Sequence, residues 1–436
     1  MNDAQGQSLS GANASALAAY QAALDNFRCF TGDPVADAQR AIAASPEMTM
    51  AHVLMAWLHL LGTEPAGQPV AQAACAIAAQ LPANERESLH LRAATLLSQG
   101  QWARAGRVLE DLSIAYPLDL LALQAGQQVD YFTGDARMLR DRIARAMPHW
   151  QRGMPGYHAV LSLRAFGLEE CGDYSLAERH GRAAVELEPR DGWGWHAVAH
   201  VLEMRNDPAA GVQWLGPNAA TWSEGSFFAV HNWWHLALFH LALGDEEAVL
   251  RLYDEAVGGA GSSVILDLID ASALLWRLHL RGVDLGERWS ALAARWLAAG
   301  RPGRFAFNDL HMMMALVGAE REDDQHTLLQ VLEQAMAGTD DNAGFTRAAG
   351  HPAALAFHAF GRGDHARCTE LLRDIRSGAH RFGGSHAQRD VIDLTLLASA
   401  QRCGQPALAQ ALLAERQALR PQAGRAPSRA TDIHRP

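Results

Sequence analysis

The feature that most limits what this chain can fold into is an almost unbroken helical periodicity from Leu17 to about residue 420. Apolar residues recur at three- and four-residue spacing, and Gly-Asp, Pro or Gly-x-Pro sequences separate the segments. The sequence contains no sustained alternation of Val, Ile and Thr, and no Asn-Gly hairpin sequence. It therefore predicts an all-α protein.

The helical segments contain a recurring pattern. Residues 100–117, 172–189 and 404–421 each begin with Gly, have Ala at the sixth position and end with Pro. Small Ala side chains let neighbouring helices approach closely, and Pro ends the unit. This pattern is typical of the second helix of a tetratricopeptide repeat, although the copies are degenerate. We therefore predict a degenerate tetratricopeptide-like superhelix of helix pairs, a curved or closed α-solenoid.

The length of 436 residues alone suggests two or three domains, but a repeat array is the usual exception. We predict one helical domain over residues 15–421. The polar residues 1–14 are predicted to be a flexible tail. Residues 422–436, rich in Arg, Pro and Ser, are predicted to be a disordered tail.

Composition excludes several functions. The chain has no lysine, so its 37 basic residues are all arginine, and neither P-loop nucleotide binding nor pyridoxal phosphate chemistry is expected. Its net charge of -11 and the lack of a basic cluster before the C-terminal tail argue against nucleic acid. Five cysteines without C-x-x-C spacing argue against disulfides and Cys-ligated zinc. No signal peptide and no membrane span is evident, so we expect a cytoplasmic protein without a membrane partner.

The stretch from residue 193 to residue 240 concentrates histidines among tryptophans. His196 and His200 are four residues apart and share one face of a helix, as do His231 and His235 on a later helix. The two pairs are separated by 35 residues, about one helix-pair repeat. Glu203 lies on the same helical face as the first pair. The sequence therefore predicts that repeat stacking brings these side chains together.

Three later segments also place polar groups inside apolar helical patterns. They contain Asp267 and Asp270, then Asn308 and His311, and finally His386, Arg389 and Asp390, which follow Ser385 as a predicted helix N-cap. A buried polar group without a partner costs roughly several kcal/mol. These groups must therefore satisfy one another or bind something, so we predict a central His/Asp/Glu/Arg pocket.

The chain also resembles a known family. The stretches HAVAHVLEM, HNWWHLALFHLALGD, LDLIDASALLWRL, FNDLHMMMAL and GGSHAQRD are similar to those of the tetratricopeptide-repeat-protein-38-like family, and the resemblance extends from about residue 17 to residue 421. The resemblance implies a tetratricopeptide-type helical fold in a soluble protein. It does not imply a particular reaction.

We predict that the pocket binds, and possibly transforms, a small polar or carboxylate-bearing molecule by acid–base hydrolysis or elimination. The predicted catalytic residues are His196, His200, His231, His235, Asp267, Asp270, His311 and His386. The predicted substrate-binding residues are Trp195, Glu203, Asn232, Trp234, Asn308, Arg389 and Asp390. One alternative is a metal-dependent enzyme with zinc, iron or manganese held by the two histidine pairs. The other is a non-catalytic scaffold for a protein partner.

Overall fold

The structure, a computed structural model, describes residues 1–259, 261–299 and 301–420. The regular elements in these ranges are helices, and the β-type pairing found there consists of two isolated bridges, Asn2 with Ser8 and Thr31 with Ser226. The prediction of an all-α protein is confirmed. Within the same ranges, no helix combines the length and the apolar character needed to cross a membrane.

The helices follow one another with short connections. The first third of the chain forms α1 (Ala14–Cys29), α2 (Pro34–Ala44), α3 (Thr49–Leu60), α4 (Gly67–Ala78), α5 (Glu85–Ser98), α6 (Trp102–Ala115), α7 (Leu120–Phe132) and α8 (Ala136–Ala146). The central part forms α9 (Tyr157–Glu169), α10 (Tyr174–Leu187), α11 (Gly192–Met204), α12 (Pro208–Leu215), α13 (Ala219–Ser223), α14 (Ala229–Leu243) and α15 (Glu246–Leu252). The last part forms α16 (Ile265–Leu280), α17 (Arg288–Ala299), α18 (Ala306–Gly318), α19 (Glu322–Met336), α20 (Asp341–Phe345), α21 (His351–Gly361), α22 (His365–Ile375), α23 (His386–Arg402) and α24 (Pro406–Leu419).

Helices adjacent in sequence pack against each other, as α1 does with α2, α3 with α4, α9 with α10 and α21 with α22. Small residues permit the close approach. A Cβ atom on Gly167 in α9 would lie 2.4 Å from the Leu139 carbonyl oxygen in α8. The glycine therefore sets the distance between these two helices.

Local capping follows from the sequence. Ser385 caps α23 as predicted: its hydroxyl accepts from the Gln388 backbone N–H, and the Gln388 side chain returns to the Ser385 backbone N–H. Asp191 caps α11 by accepting from the Gly194 N–H at 3.0 Å. These caps fix where the site-bearing helices α11 and α23 begin.

Helices from the first third of the chain also contact the last third. Trp102 at the start of α6 stacks on Phe305 with ring centroids 5.4 Å apart, and the Ala103 N–H donates to the Asp341 carboxylate at 2.8 Å. The Tyr131 hydroxyl of α7 donates to the Gln388 side chain of α23. The array therefore closes on itself around the central helices.

The first thirteen residues, for which we expected a flexible tail, make specific contacts. The Leu9 side chain is only 2% exposed, and the Ser10 N–H donates to the Glu87 carboxylate at 2.8 Å. Leu9 belongs to the same buried cluster as the apolar residues of α1, and removal of its side chain from water favours this ordered position. The predicted C-terminal tail, residues 422–436, lies outside the described residues.

Candidate metal centre

The two predicted histidine pairs form one cluster. His196 and His200 project from α11 and His231 and His235 from α14, and one ring nitrogen of each lies within 4.8 Å of the others. Three of the rings are 2% exposed or less, and the His231 side chain is 14% exposed. We call these four residues the four-histidine cluster. Stacking of two consecutive helix pairs produces it.

Three imidazoles of the cluster face carboxylates through Nδ1. The His231 Nδ1 lies 2.8 Å from Asp270 Oδ2.

The other two pairs are longer: 3.4 Å separates His200 Nδ1 from Glu169 Oε2, and the same distance separates His235 Nδ1 from Glu203 Oε2. Since Nδ1 of each ring faces a carboxylate, Nε2 is left as the nitrogen available to a ligand. Asp270, at 2.8 Å, is a carboxylate of the kind that fixes the tautomer and orientation of a metal-binding histidine, whereas 3.4 Å is too long for a good hydrogen bond.

The Nε2 atoms of His196 and His231 are 3.1 Å apart. This distance fits two arrangements. In one, an N–H on one ring donates to the other ring. In the other, both nitrogens bind one metal ion, because two Nε2 ligands with bonds of about 2.0–2.1 Å in tetrahedral geometry are separated by roughly 3.3 Å.

Several buried polar atoms of the cluster have no hydrogen-bond partner among the described residues. They are His196 Nδ1, both ring nitrogens of His200 and of His235, both oxygens of Glu169, Glu203 Oε2 and Asp270 Oδ1. Buried polar groups are normally paired, and each unpaired one costs about 1–3 kcal/mol. A bound cation would satisfy the imidazole nitrogens together.

The surroundings keep these histidines neutral. Burial and the three neighbouring imidazoles hold the pKa of His196 well below its ordinary value. Burial lowers the pKa of His200 to about 4, against the opposing effect of Glu170 and Glu203. Burial and the neighbouring histidines likewise hold the pKa of His235 well below the ordinary value. Neutral imidazole is the form that binds metals.

Aromatic side chains enclose the cluster. Phe166 lies 5.4 Å from both His196 and His200, measured between ring centroids, and Trp193 lies 4.5 Å from His196. Trp234 stacks on His231 at 5.3 Å with an angle of 19° between the ring planes. These rings exclude water and lower the local dielectric.

A second group of ionisable residues adjoins the cluster at the end of α9. One carboxylate oxygen each of Glu169 and Glu170 and one ring nitrogen of His200 lie within 4.8 Å of one another. Glu170 Oε2 is 3.1 Å from His386 Nδ1 and 3.6 Å from the Arg389 guanidinium. We call Glu169, Glu170, His200 and His386 the acidic group.

The two carboxyls of the acidic group have opposite pKa shifts. Burial and the adjacent Glu170 raise the pKa of Glu169 well above its ordinary value. Burial also opposes ionisation of Glu170, but His386 and Arg389 outweigh it and bring that pKa to about 2. Burial disfavours the His386 cation too, yet the Glu170 carboxylate raises its pKa above the ordinary value. Glu170 and His386 therefore form an ion pair.

A cavity of 680 Å³ opens beside the acidic group. Its walls come from α7, α8, α23, α24 and the residues that follow α9, and they include Tyr131, Glu170, His386, Arg389 and Arg420. The volume is that of a small-molecule binding site. The cavity gives Glu170 and His386 access to solvent.

The other residues predicted to bind substrate have partners of their own near the cluster. Asn232 donates to the Gly192 carbonyl at 3.1 Å and thereby ties α14 to α11. Trp195 donates to the Pro189 carbonyl at 2.8 Å and packs on Trp214. Asp390 pairs with Arg416 and lies 3.7 Å from Arg420.

Three predicted residues lie outside both groups. Asp267 accepts from the Ser262 hydroxyl at 2.6 Å, and burial raises its pKa to about 6. Asn308 donates to the Thr63 hydroxyl at 3.2 Å. His311 Nδ1 donates to the Phe307 carbonyl at 2.8 Å, and burial lowers its pKa to about 4. None of these contacts joins the four-histidine cluster to α16 or α18; Asp270 connects the cluster to α16.

Sequence reasoning missed Glu169, Glu170 and Tyr131. The repeat spacing contained a signal for the first, since Glu169 precedes Glu203 by 34 residues and both follow a Leu near the end of a helix. Tyr131 has no comparable signal, because the Gln388 side chain that receives its hydroxyl lies 257 residues away.

Comparison of the chain with models of known protein families finds no match.

Proposed function

We propose that this protein is a metal-dependent enzyme whose divalent transition-metal ion is held by the four-histidine cluster. The observation that carries the proposal is the convergence of four buried imidazoles, three of which face carboxylates through Nδ1. In metal sites such carboxylates orient the ligating ring and increase its basicity. Glu169, Glu203 and Asp270 would also balance the charge of a divalent ion.

The donor set favours some ions over others. Imidazole nitrogen suits zinc, iron, copper and nickel, whereas manganese prefers oxygen ligands. Of the three ions considered from the sequence, zinc and iron therefore fit the four-histidine cluster better than manganese. No cofactor beyond a metal ion is proposed.

The adjoining cavity supports a small polar or carboxylate-bearing substrate. Arg389 and Arg420 line it and supply guanidinium groups that pair well with carboxylates. A metal-activated water supports hydrolysis as the reaction class.

A metal-free enzyme is the second candidate, and one contact favours it. With Asp270 accepting from His231 Nδ1, the His231 Nε2 atom can accept a proton from His196 Nε2 at 3.1 Å. Such a pair is suited to acid–base catalysis.

We also propose that the helix pairs form a tetratricopeptide-like superhelix and that the chain is a member of the tetratricopeptide-repeat-protein-38-like family. The packing of consecutive helices and the 34- and 35-residue spacing of the ligating residues support this. A scaffold for a protein partner remains the alternative function for such a fold.

Elemental analysis of untagged protein purified without chelator tests the proposal. We expect at least one equivalent of zinc or iron per chain. The double variant His231→Asn/His235→Asn should lose at least one equivalent relative to the wild type, because it removes both ligands on α14.

The matched control is His240→Asn, on the same helix. Its ring pairs with Asp245 at 3.2 Å, away from the cluster, so metal content should be unchanged. Wild-type protein that neither contains a transition metal nor binds zinc after dialysis would rule the proposal out in favour of the metal-free enzyme or the scaffold.

A further inference from the structure

We infer that Glu169, Glu170 and His200 form a second divalent-metal site, which shares the His200 imidazole with the four-histidine cluster. The inference rests on the proposed function, because His200 would bind one ion through each ring nitrogen.

Unsatisfied donors point to this site. Glu169 is fully buried, and neither of its carboxylate oxygens has a hydrogen-bond partner among the described residues. Nδ1 of His200 also has no hydrogen-bond partner among the described residues. It lies 3.4 Å from Glu169 Oε2, which is too far for a good hydrogen bond. A metal ion among these atoms would bind all of them.

The charges nearby point the same way. His386 and Arg389 both approach Glu170, at 3.1 and 3.6 Å. Among the described residues, His200 is the basic residue that lies within salt-bridge distance of Glu169. A buried carboxylate is costly without a cation, so the site as a whole lacks positive charge on the Glu169 side. A divalent ion supplies it.

Sharing of His200 is chemically possible because imidazole has two ring nitrogens that can each bind a metal once both protons are lost. Nε2 serves the four-histidine cluster, and Nδ1 faces Glu169. Binding of the second ion would displace the Nδ1 proton of His200 and the proton that burial keeps on Glu169, and both would leave through the cavity that Glu170 lines.

The two ions would differ in access to substrate. The four-histidine cluster is enclosed by aromatic rings. Glu170 instead lines the 680 Å³ cavity, so an ion held beside it would be open to water and substrate. Its mixed oxygen and nitrogen ligands also suit manganese as well as zinc. A substrate in the cavity would therefore reach the second ion more directly than the first.

The test is a titration of metal-free, full-length protein with zinc against a competing coloured chelator. We expect two equivalents to bind per chain. The variant Glu170→Gln/His386→Asn removes Glu170 together with its ion-pair partner, so it should keep the four-histidine ion at unchanged affinity, while affinity for the second ion falls roughly tenfold or more. Glu178→Gln is the control, because Glu178 on α10 pairs with Arg182 and Arg205 instead.

Each stoichiometry has one meaning. Binding of a single equivalent by the wild type would overturn the inference and leave the proposed function intact, and binding of none would overturn both. Two equivalents in the wild type and in the variant would place the second ion elsewhere and also overturn the inference. Circular dichroism checks that the double variant folds; if it does not, Glu170→Gln replaces it, and the wild-type stoichiometry still decides.

Discussion

Asp309 is a buried carboxyl group that the fold holds in an unfavourable environment. Its Oδ1 accepts from the Gly303 N–H at 3.0 Å, whereas its Oδ2 has no partner among the described residues. Burial raises its pKa to about 7, above the 3.8 of an exposed aspartate. The side chain is therefore protonated at acidic pH and half ionised near neutrality.

This shift predicts the pH dependence of stability. Asp309 has a raised pKa in the folded state. Its contribution to the free energy of unfolding is therefore fully present below pH 3.8 and is lost as pH rises through 7. At pH 8 the charge costs the folded state about 4 kcal/mol. Asp309→Asn should therefore raise the Tm at pH 8 and have little effect at pH 4, measured by thermal circular dichroism.

The control for that comparison is Asp323→Asn at an exposed position at the start of α19. It should change the Tm little and equally at both pH values. The raised pKa of Asp309 would be contradicted if the Tm of the wild type did not fall, relative to the Tm of Asp309→Asn, between pH 4 and pH 8.

At the residue scale, sequence reasoning identified the ligands that share one helix face. His196 with His200 and His231 with His235 were predictable from four-residue spacing, because helix geometry fixes their relative position. Their partner carboxylates come from other helices. The 34-residue spacing from Glu203 was a signal for Glu169, whereas the position of Glu170 depends on packing that periodicity does not encode. Asn308 and His311 followed the same polar-in-apolar pattern, but Asn308 donates to Thr63 and His311 to the Phe307 carbonyl of its own helix instead.

At the scale of single helices, α9 links the packing between neighbouring helices to the candidate metal centre. It carries Glu169 and Glu170 at its C-terminal end, and its Gly167 lies directly against the backbone of α8. The position of both carboxylates therefore depends on how closely α9 and α8 approach.

Gly167→Ala tests this dependence. The added methyl group would lie 2.4 Å from the Leu139 carbonyl oxygen, so the helices must separate. Overpacking of this kind costs about 1–3 kcal/mol. We expect a lower Tm and weaker zinc binding, measured by thermal unfolding and by zinc titration.

Gly106→Ala in α6 is the matched control. A Cβ atom there meets its nearest neighbour, a methyl group of Val129, at 3.4 Å, which is ordinary contact. Alanine also favours helix over glycine, so this variant should be as stable as the wild type or more so. Equal Tm values for Gly167→Ala and the wild type would show that α9 can shift freely.

At the scale of the whole molecule, the helical array closes on itself. Trp102 and Phe305, Tyr131 and Gln388, and Glu170 and His386 each join distant parts of the chain. Helix content was predictable from periodicity, because it is a local property. Whether the array is curved or closed was left open by the sequence, because closure depends on contacts between residues about 200 apart or more.

Closure predicts cooperative unfolding. Open repeat arrays contain only neighbour contacts and can lose units progressively. Here the central helices contact both ends of the chain, so urea should unfold the described domain in one transition. Far-UV circular dichroism and tryptophan fluorescence should give the same midpoint. Two separated midpoints would mean that the contacts between the chain ends contribute little.

The ligand spacing has an evolutionary consequence. Glu169 is followed by His196 and His200, and Glu203 is followed in nearly the same way by His231 and His235. Each stretch of about 35 residues thus supplies one carboxylate followed by two imidazoles. A single such unit has too few nitrogens to enclose an ion, but two adjacent copies supply four. Tandem duplication of one unit is therefore sufficient to create the four-histidine cluster in a single genetic event.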